Sequence, residues 1–312
     1  MIKIAIATIA LPAALLVQAA PPARPEATSL LGKPLFPAPI GAEARKTLEE
    51  NLKNAEVVYG RNPDDPDATI WLGRRLAYLG RYRDAIEHFS DGVEKHPDDA
   101  RMYRHRGHRY ITVRELPKAI EDFTKAASLV SGKPDQIEPD GQPNARNVPT
   151  STLNSNVYYH LGLAHYLSGN FDKAADAYRR CLEFSKNPDM LTATTYWYHL
   201  TLSRLGRTAE ASALLAPITA DMDVIENGSY YRLLRLYKGD VTLDSFNATA
   251  AGLDAVTTKY GLARWHIANG RDDQGLALLR EIVDGSPQQW PAFGYIAAEA
   301  DLARSSRLRK FD

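Results

Sequence analysis

Between residues 66 and 133 one arrangement of small and bulky residues occurs twice at a spacing of 34: Gly73 corresponds to Gly107, Ala85 to Ala119, Phe89 to Phe123 and Gly92 to Ala126. A period of this length builds a chain from stacked copies of one supersecondary unit, none of which buries its apolar face alone. Within each unit a small residue is followed 12 positions later by a second, and four positions beyond that by a large apolar one. Two helices joined by a short turn approach closely only where a side chain is nearly absent. A mid-helix glycine costs about 1 kcal/mol against alanine, so its recurrence marks a helix crossing. In the first unit Leu79-Gly80-Arg81-Tyr82 reads as the turn, with Gly80 free to take the left-handed conformation that ends a helix, and Pro97 stops the second helix.

These residues, Leu72-Gly73, Ala85, Phe89 and Pro97, with Tyr103, Gly107, Tyr110, Ala119, Phe123 and Ala126 in the second unit, resemble the tetratricopeptide repeat. The family usually has a tryptophan at the fourth position, where the first unit has Thr69. The resemblance implies an all-α, right-handed solenoid of helix hairpins, about five to six repeats long, closed by capping helices. Repeats are expected over 66–99, 100–133, 155–188, 192–225 and 256–289, with a degenerate unit over 226–255. The third carries Gly162, Ala174 and Tyr178 in register; the fourth has His199 where the small residue belongs; the last exchanges the small pair to Ala263 and Gly275. A stripe of Leu48, Leu52, Ala55 and Val58 predicts a first capping helix. A second, over 291–305, is expected to turn Glu299, Arg304 and Arg307 to solvent.

Lys3, an apolar run from Ile4 to Val17 and the site Val17-Gln18-Ala19 predict a signal peptide over 1–19, cleaved after Ala19, and a secreted or periplasmic protein. The run is shorter than the roughly 20 residues of a membrane-spanning helix, so no stable membrane insertion is expected after cleavage. Six prolines make 20–40 an extended, semi-rigid linker into a solenoid over 41–312. The period breaks again over 132–153, where four prolines and two glycines exclude regular structure. So long a connection is functional or mobile; with Asn144, Arg146 and residues 150–152 offering hydrogen bonds, it either covers the groove or is a spacer.

The 38 basic and 38 acidic residues leave no excess for general nucleic-acid binding. The single cysteine, Cys181, excludes a disulfide framework and occupies a small-residue position, as a buried thiol would. No nucleophile elbow, P-loop, dinucleotide fingerprint or HExxH motif is present, so neither catalysis nor a cofactor or metal is expected.

The resemblance also implies that the first helix of each unit lines a concave groove. Its positions are then Trp71 and Arg74, Arg101, Arg104, His105 and His108, Asn156, Tyr159, His160, Leu163 and Tyr166, and Tyr196 and Trp197, with Arg146 reaching in from the long loop. Guanidinium forks suit carboxylates, and aromatic rings offer flat apolar faces. The expected partner is a protein or peptide with acidic groups or a free C-terminal carboxylate, bound by a non-catalytic scaffold. Ile70 and Arg74 stand where the family's carboxylate clamp has lysine and asparagine, so that clamp is absent. Two other readings remain: a small-molecule or glycan binder, enzymatic or not, with the loop closing over a pocket beneath residues 144–152, and a homo-oligomerisation surface.

Overall fold

The computed structural model describes residues 24–246 and 252–308; the signal segment expected at 1–19 and residues 20–23 of the linker lie outside them. A lone helix α1 (Ala42–Arg61) precedes the hairpins α2 (Pro66–Tyr78) with α3 (Tyr82–Lys95), α4 (Ala100–Thr112) with α5 (Leu116–Val130), and α6 (Leu153–Ser168) with α7 (Phe171–Phe184). Then come α8 (Pro188–Arg204), α9 (Thr208–Ala213), α10 (Gly228–Lys238), α11 (Gly252–Ala268), α12 (Asp272–Gly285) and α13 (Phe293–Leu308). The result is an all-helical solenoid in which consecutive helices pack on one another.

The 34-residue period has a direct physical cause. In each well-formed hairpin the bulky residue of the second helix lays its ring against the glycine of the first: Phe89 on Gly73, Phe123 on Gly107, Tyr178 on Gly162. A Cβ at Gly107 would stand 2.9 Å from the Phe123 ring, and one at Gly162 2.7 Å from that of Tyr178. Both are inside van der Waals contact, so each glycine exists to admit a ring. Cys181 is fully buried beside Thr194 and Ser185, and burial pushes its thiol up to about 12.

The array degrades where the small residue is missing. His199 stacks on the Tyr237 ring of α10 at 4.9 Å, so α10 fills the place a partner helix takes elsewhere. The fourth unit's second helix, α9, is only six residues long. In the degenerate unit expected over 226–255, the described residues show α10, a 3₁₀ turn at Leu243–Phe246 and the start of α11. At the N-terminal end α1 buries Leu52 against α2, with Leu48, Ala55 and Tyr59 beside it. Val58, expected in the same stripe, is half exposed because the stripe rotates onto Tyr59.

Helix α2 ends with two backbone bonds, Arg81 N–H to Leu76 O and Gly80 N–H to Ala77 O, which require a left-handed residue at 80. Gly169, Gly206, Gly239 and Gly270 hold the same place after α6, α8, α10 and α11, all at positive φ. In the second unit that place belongs to Arg114, at φ 68°. A non-glycine residue there costs of order 1–3 kcal/mol, and what offsets it lies at the other end of the chain.

Arg114 donates to both carboxylate oxygens of Glu299 at 3.0 Å and to the Trp290 carbonyl at 2.8 Å, and its guanidinium lies over the Trp290 ring. Glu299, expected to face solvent, is fully buried in this pair, because α13 does not cap the solenoid from outside. It lies across the C-terminal ends of α4, α6 and α8, where Asp301 meets Arg204, Arg264 and Arg304, and Arg304 also donates to Leu167 O. Residues 24–40 are likewise no free spacer. Their two short strands, Ala27–Thr28 and Pro34–Leu35, pair antiparallel and bury Ala27 and Leu35. Glu26 caps α3 at Arg83 N–H, Leu30 N–H reaches Glu299, and Trp290 Nε1–H donates to Phe36 O at 2.6 Å. These contacts tie the first three repeats to the last.

Candidate functional site

The segment between α5 and α6 is ordered against the first-helix face. Arg74 donates to Pro139 O at 2.7 Å and Arg75 to Gly141 O at 3.1 Å. Glu138 pairs with Arg104 at 2.8 Å and accepts from Asn156 at 3.1 Å. Asn187 then holds Thr150 O, while Asn144 and Thr150 reach Glu226 and Arg146 pairs with Asp223. Ile137 bridges Thr152, so the segment closes on itself as it crosses α2, α4, α6 and the start of α8. Gly141 permits the approach, since a Cβ there would strike the Tyr78 hydroxyl.

That face is therefore largely filled from within, by this segment on one side and α13 on the other. The residues expected in an open groove divide accordingly. Tyr196 and Trp197 are fully buried, stacked with Tyr230 at 4.3 Å and edge-on to Tyr166 at 5.3 Å respectively, so they are core. Tyr159 and His160 are buried under Phe293 of α13, and the His108 ring lies 4.6 Å from that of His160. Burial, with Arg104 or Arg109 beside them, holds His105, His108 and His160 well below the usual imidazole pKa of 6.5, so all three are neutral at pH 7. Arg101 is locked between Asp99 and Asp67, whose carboxylates raise its pKa. Arg104 and Asn156 are buried on Glu138, and Arg146 is exposed on Asp223.

Two of the spaces that border this segment lie beneath residues 136–139. The outer is a cleft of about 250 Å³ between α2, α4 and the segment, walled by Ile70, Trp71, Arg74, Arg101 and Ile137, among others. Ile137 is 68% exposed there, and the Arg74 guanidinium lies over the Trp71 ring at 4.7 Å. The inner is a cavity of about 110 Å³ whose wall shares Arg74, His105 and Glu138 with the cleft and adds Tyr78, Arg104, His108 and Arg109. The pocket anticipated beneath residues 144–152 is thus displaced toward the start of the loop.

Sequence reasoning missed Arg109, Arg114 and Glu138. Arg114 had a signal: it stands 34 residues after Gly80, a charged residue in a glycine's place. Arg109 falls one helical turn after His105, on the face already marked as basic. Glu138 had none, since a breaker-rich segment carries no period to set it against.

Comparison with known proteins agrees with this architecture. Models of the tetratricopeptide repeat match residues 66–109 and 155–188. Human tetratricopeptide repeat protein 13 is 31% identical over 100 residues, covering 30% of this chain and 11% of the relative. BBSome complex member BBS4 of Bos taurus is 24% identical over 152 residues, 48% of this chain and 25% of the relative. The chain thus matches a quarter or less of the length of these relatives. A tetratricopeptide repeat protein of Parabacteroides merdae superposes with a TM-score of 0.46 at 14% identity, over 78% of this chain and 90% of that one. The chain carries tetratricopeptide repeats.

Proposed function

We propose that this repeat chain is a non-catalytic scaffold that binds a segment of a partner protein or a peptide in the cleft between α2, α4 and residues 136–139. Proteins built from these repeats generally serve as protein-binding scaffolds. The observation that carries the proposal is the composition of the cleft mouth. Trp71 and exposed Ile137 supply an apolar lining, and Arg74 in the same wall has a carbonyl and a tyrosine hydroxyl as partners and, among the described residues, no carboxylate. A guanidinium so placed is available to an acidic side chain or a free C-terminal carboxylate, with the flanking apolar side chains lying on Trp71. Arg101 orients the cleft wall but is already neutralised by two aspartates. Export from the cytoplasm belongs to the same proposal and rests on the order of residues 1–19.

The test uses peptides selected by the wild-type chain from a library of acidic sequences with free C-termini. Arg74→Glu should weaken their binding about tenfold or more, the scale of one charge-assisted hydrogen bond, and flatten its salt dependence. Arg179→Glu, the same charge change on an exposed part of α7, should leave both unchanged. Equal affinity and equal salt dependence in wild type and Arg74→Glu would remove the cleft from the function.

A further inference from the structure

The inner cavity holds more positive charge than the protein neutralises. Arg74, Arg104 and Arg109 line it, and Glu138, the one carboxylate in its wall among the described residues, pairs with Arg104 and also accepts from the Asn156 amide. Arg104 is 8% exposed, and its Nε–H is buried without a hydrogen-bond partner. Arg109 lies over the Tyr82 ring at 5.8 Å and has no carboxylate partner among the described residues. Burial, with Arg104 and Arg74 nearby, lowers the Arg109 guanidinium to about 10. It remains charged at neutral pH, partly buried and without a carboxylate to neutralise it among the described residues. An uncompensated buried cation is costly, and proteins pair such groups or give them a ligand.

We propose that this cavity is an anion site that takes one doubly charged oxyanion, a phosphate group. Three guanidiniums against one carboxylate leave two positive charges in excess, the charge of a phosphate monoester or of hydrogen phosphate. The volume of about 110 Å³ admits one such group and little more. The donors suit it as well: the free Arg104 Nε–H, the Arg109 fork and the Tyr78 hydroxyl are all in the wall, and guanidinium forks match phosphate oxygens. The neutral imidazoles of His105 and His108 add donors without adding to the unpaired charge. Through the walls it shares with the outer cleft, the cavity can take a free ion or a phosphate carried on a larger molecule. The site does not depend on a protein partner, since Arg109 and Arg104 do not line the cleft.

The experiment is calorimetric titration and thermal unfolding of the full chain with inorganic phosphate, against sodium chloride at matched ionic strength, and with a phosphoserine peptide and its unphosphorylated form. Saturable binding and a rise in Tm are expected with phosphate. Arg109→Gln should reduce the affinity about tenfold or more, and Arg109→Lys should recover part of the loss. The His105 and His108 imidazoles should protonate at higher pH once phosphate is bound, read by nitrogen NMR. Binding of free phosphate assigns the site to the ion; binding of the phosphopeptide alone assigns it to a carried group, and both support the site. No saturable binding of either probe, or equal affinity in wild type and Arg109→Gln, would overturn it. Acidic-peptide binding that is lost in Arg74→Glu and retained in Arg109→Gln would separate the two sites.

Discussion

Replacing Glu299 by alanine is expected to lower the free energy of unfolding by about 3–5 kcal/mol, measured by urea denaturation. The side chain of Glu299 is fully buried and that of Arg114 is 3% exposed, so the substitution leaves a guanidinium in the interior without its counter-ion. It also removes the acceptor of Leu30 N–H and so loosens the N-terminal ribbon. Removing both partners should cost less than the sum of the single losses, because most of each loss is the stranded charge. The double variant Arg114→Gly with Glu299→Leu tests this, and the glycine also relieves the left-handed strain at φ 68°. A loss below about 1 kcal/mol for Glu299→Ala, as for an exposed pair, would mean that α13 is not clamped to the second repeat.

Asp301→Ala should be at least as damaging, again about 3–5 kcal/mol, because it strands several guanidiniums at once. Asp301 is 4% exposed and pairs with Arg204, Arg264 and Arg304, and it accepts from the Tyr260 hydroxyl. Against the effect of burial, those arginines hold its carboxyl below the usual 3.8. A carboxyl whose folded pKa is depressed binds fewer protons folded than unfolded, so its contribution is complete above 3.8 and is lost as pH falls through the folded value. The buried histidines act earlier: neutral in the fold and titrating near 6.5 when unfolded, they erode stability as pH falls below 6.5. Acid unfolding of the wild type should therefore begin below 6.5 and steepen below 3.8. Asp301→Ala should retain the first stage and lose its share of the second. An unchanged acid limb in the variant would contradict the assignment.

The repeats were legible because a glycine and a ring 16 residues apart must touch, and that requirement is written at every well-formed crossing, from Gly73 and Phe89 to Gly162 and Tyr178. Tyr196 and Trp197 were read as groove residues because family position says which face a residue occupies, not what later covers it. Here α10 and α11 bring Tyr230 and Tyr260 against them. Glu299 misled for a related reason. A charged residue on an amphipathic last helix reads as solvated, and only the distant Arg114 makes its burial affordable. The basic character of the face was visible in the second unit. Which arginines are neutralised was not, since Asp67 and Glu138 reach theirs through tertiary contacts, and only Asp99 meets its arginine locally.

The central claim is that residues 132–153 occupy the first-helix face and leave the Trp71–Arg74 cleft open beside them, and residue-resolved hydrogen exchange tests it most directly. Glu138 N–H bonds Ser151 O and Leu153 N–H bonds Gln136 O. Both amides should be protected in the wild type and exchange far faster in Glu138→Ala, which releases the segment from Arg104 while α4 and α6 keep their own protection. Exchange of both amides at the rate of an unstructured chain in the wild type would contradict the account.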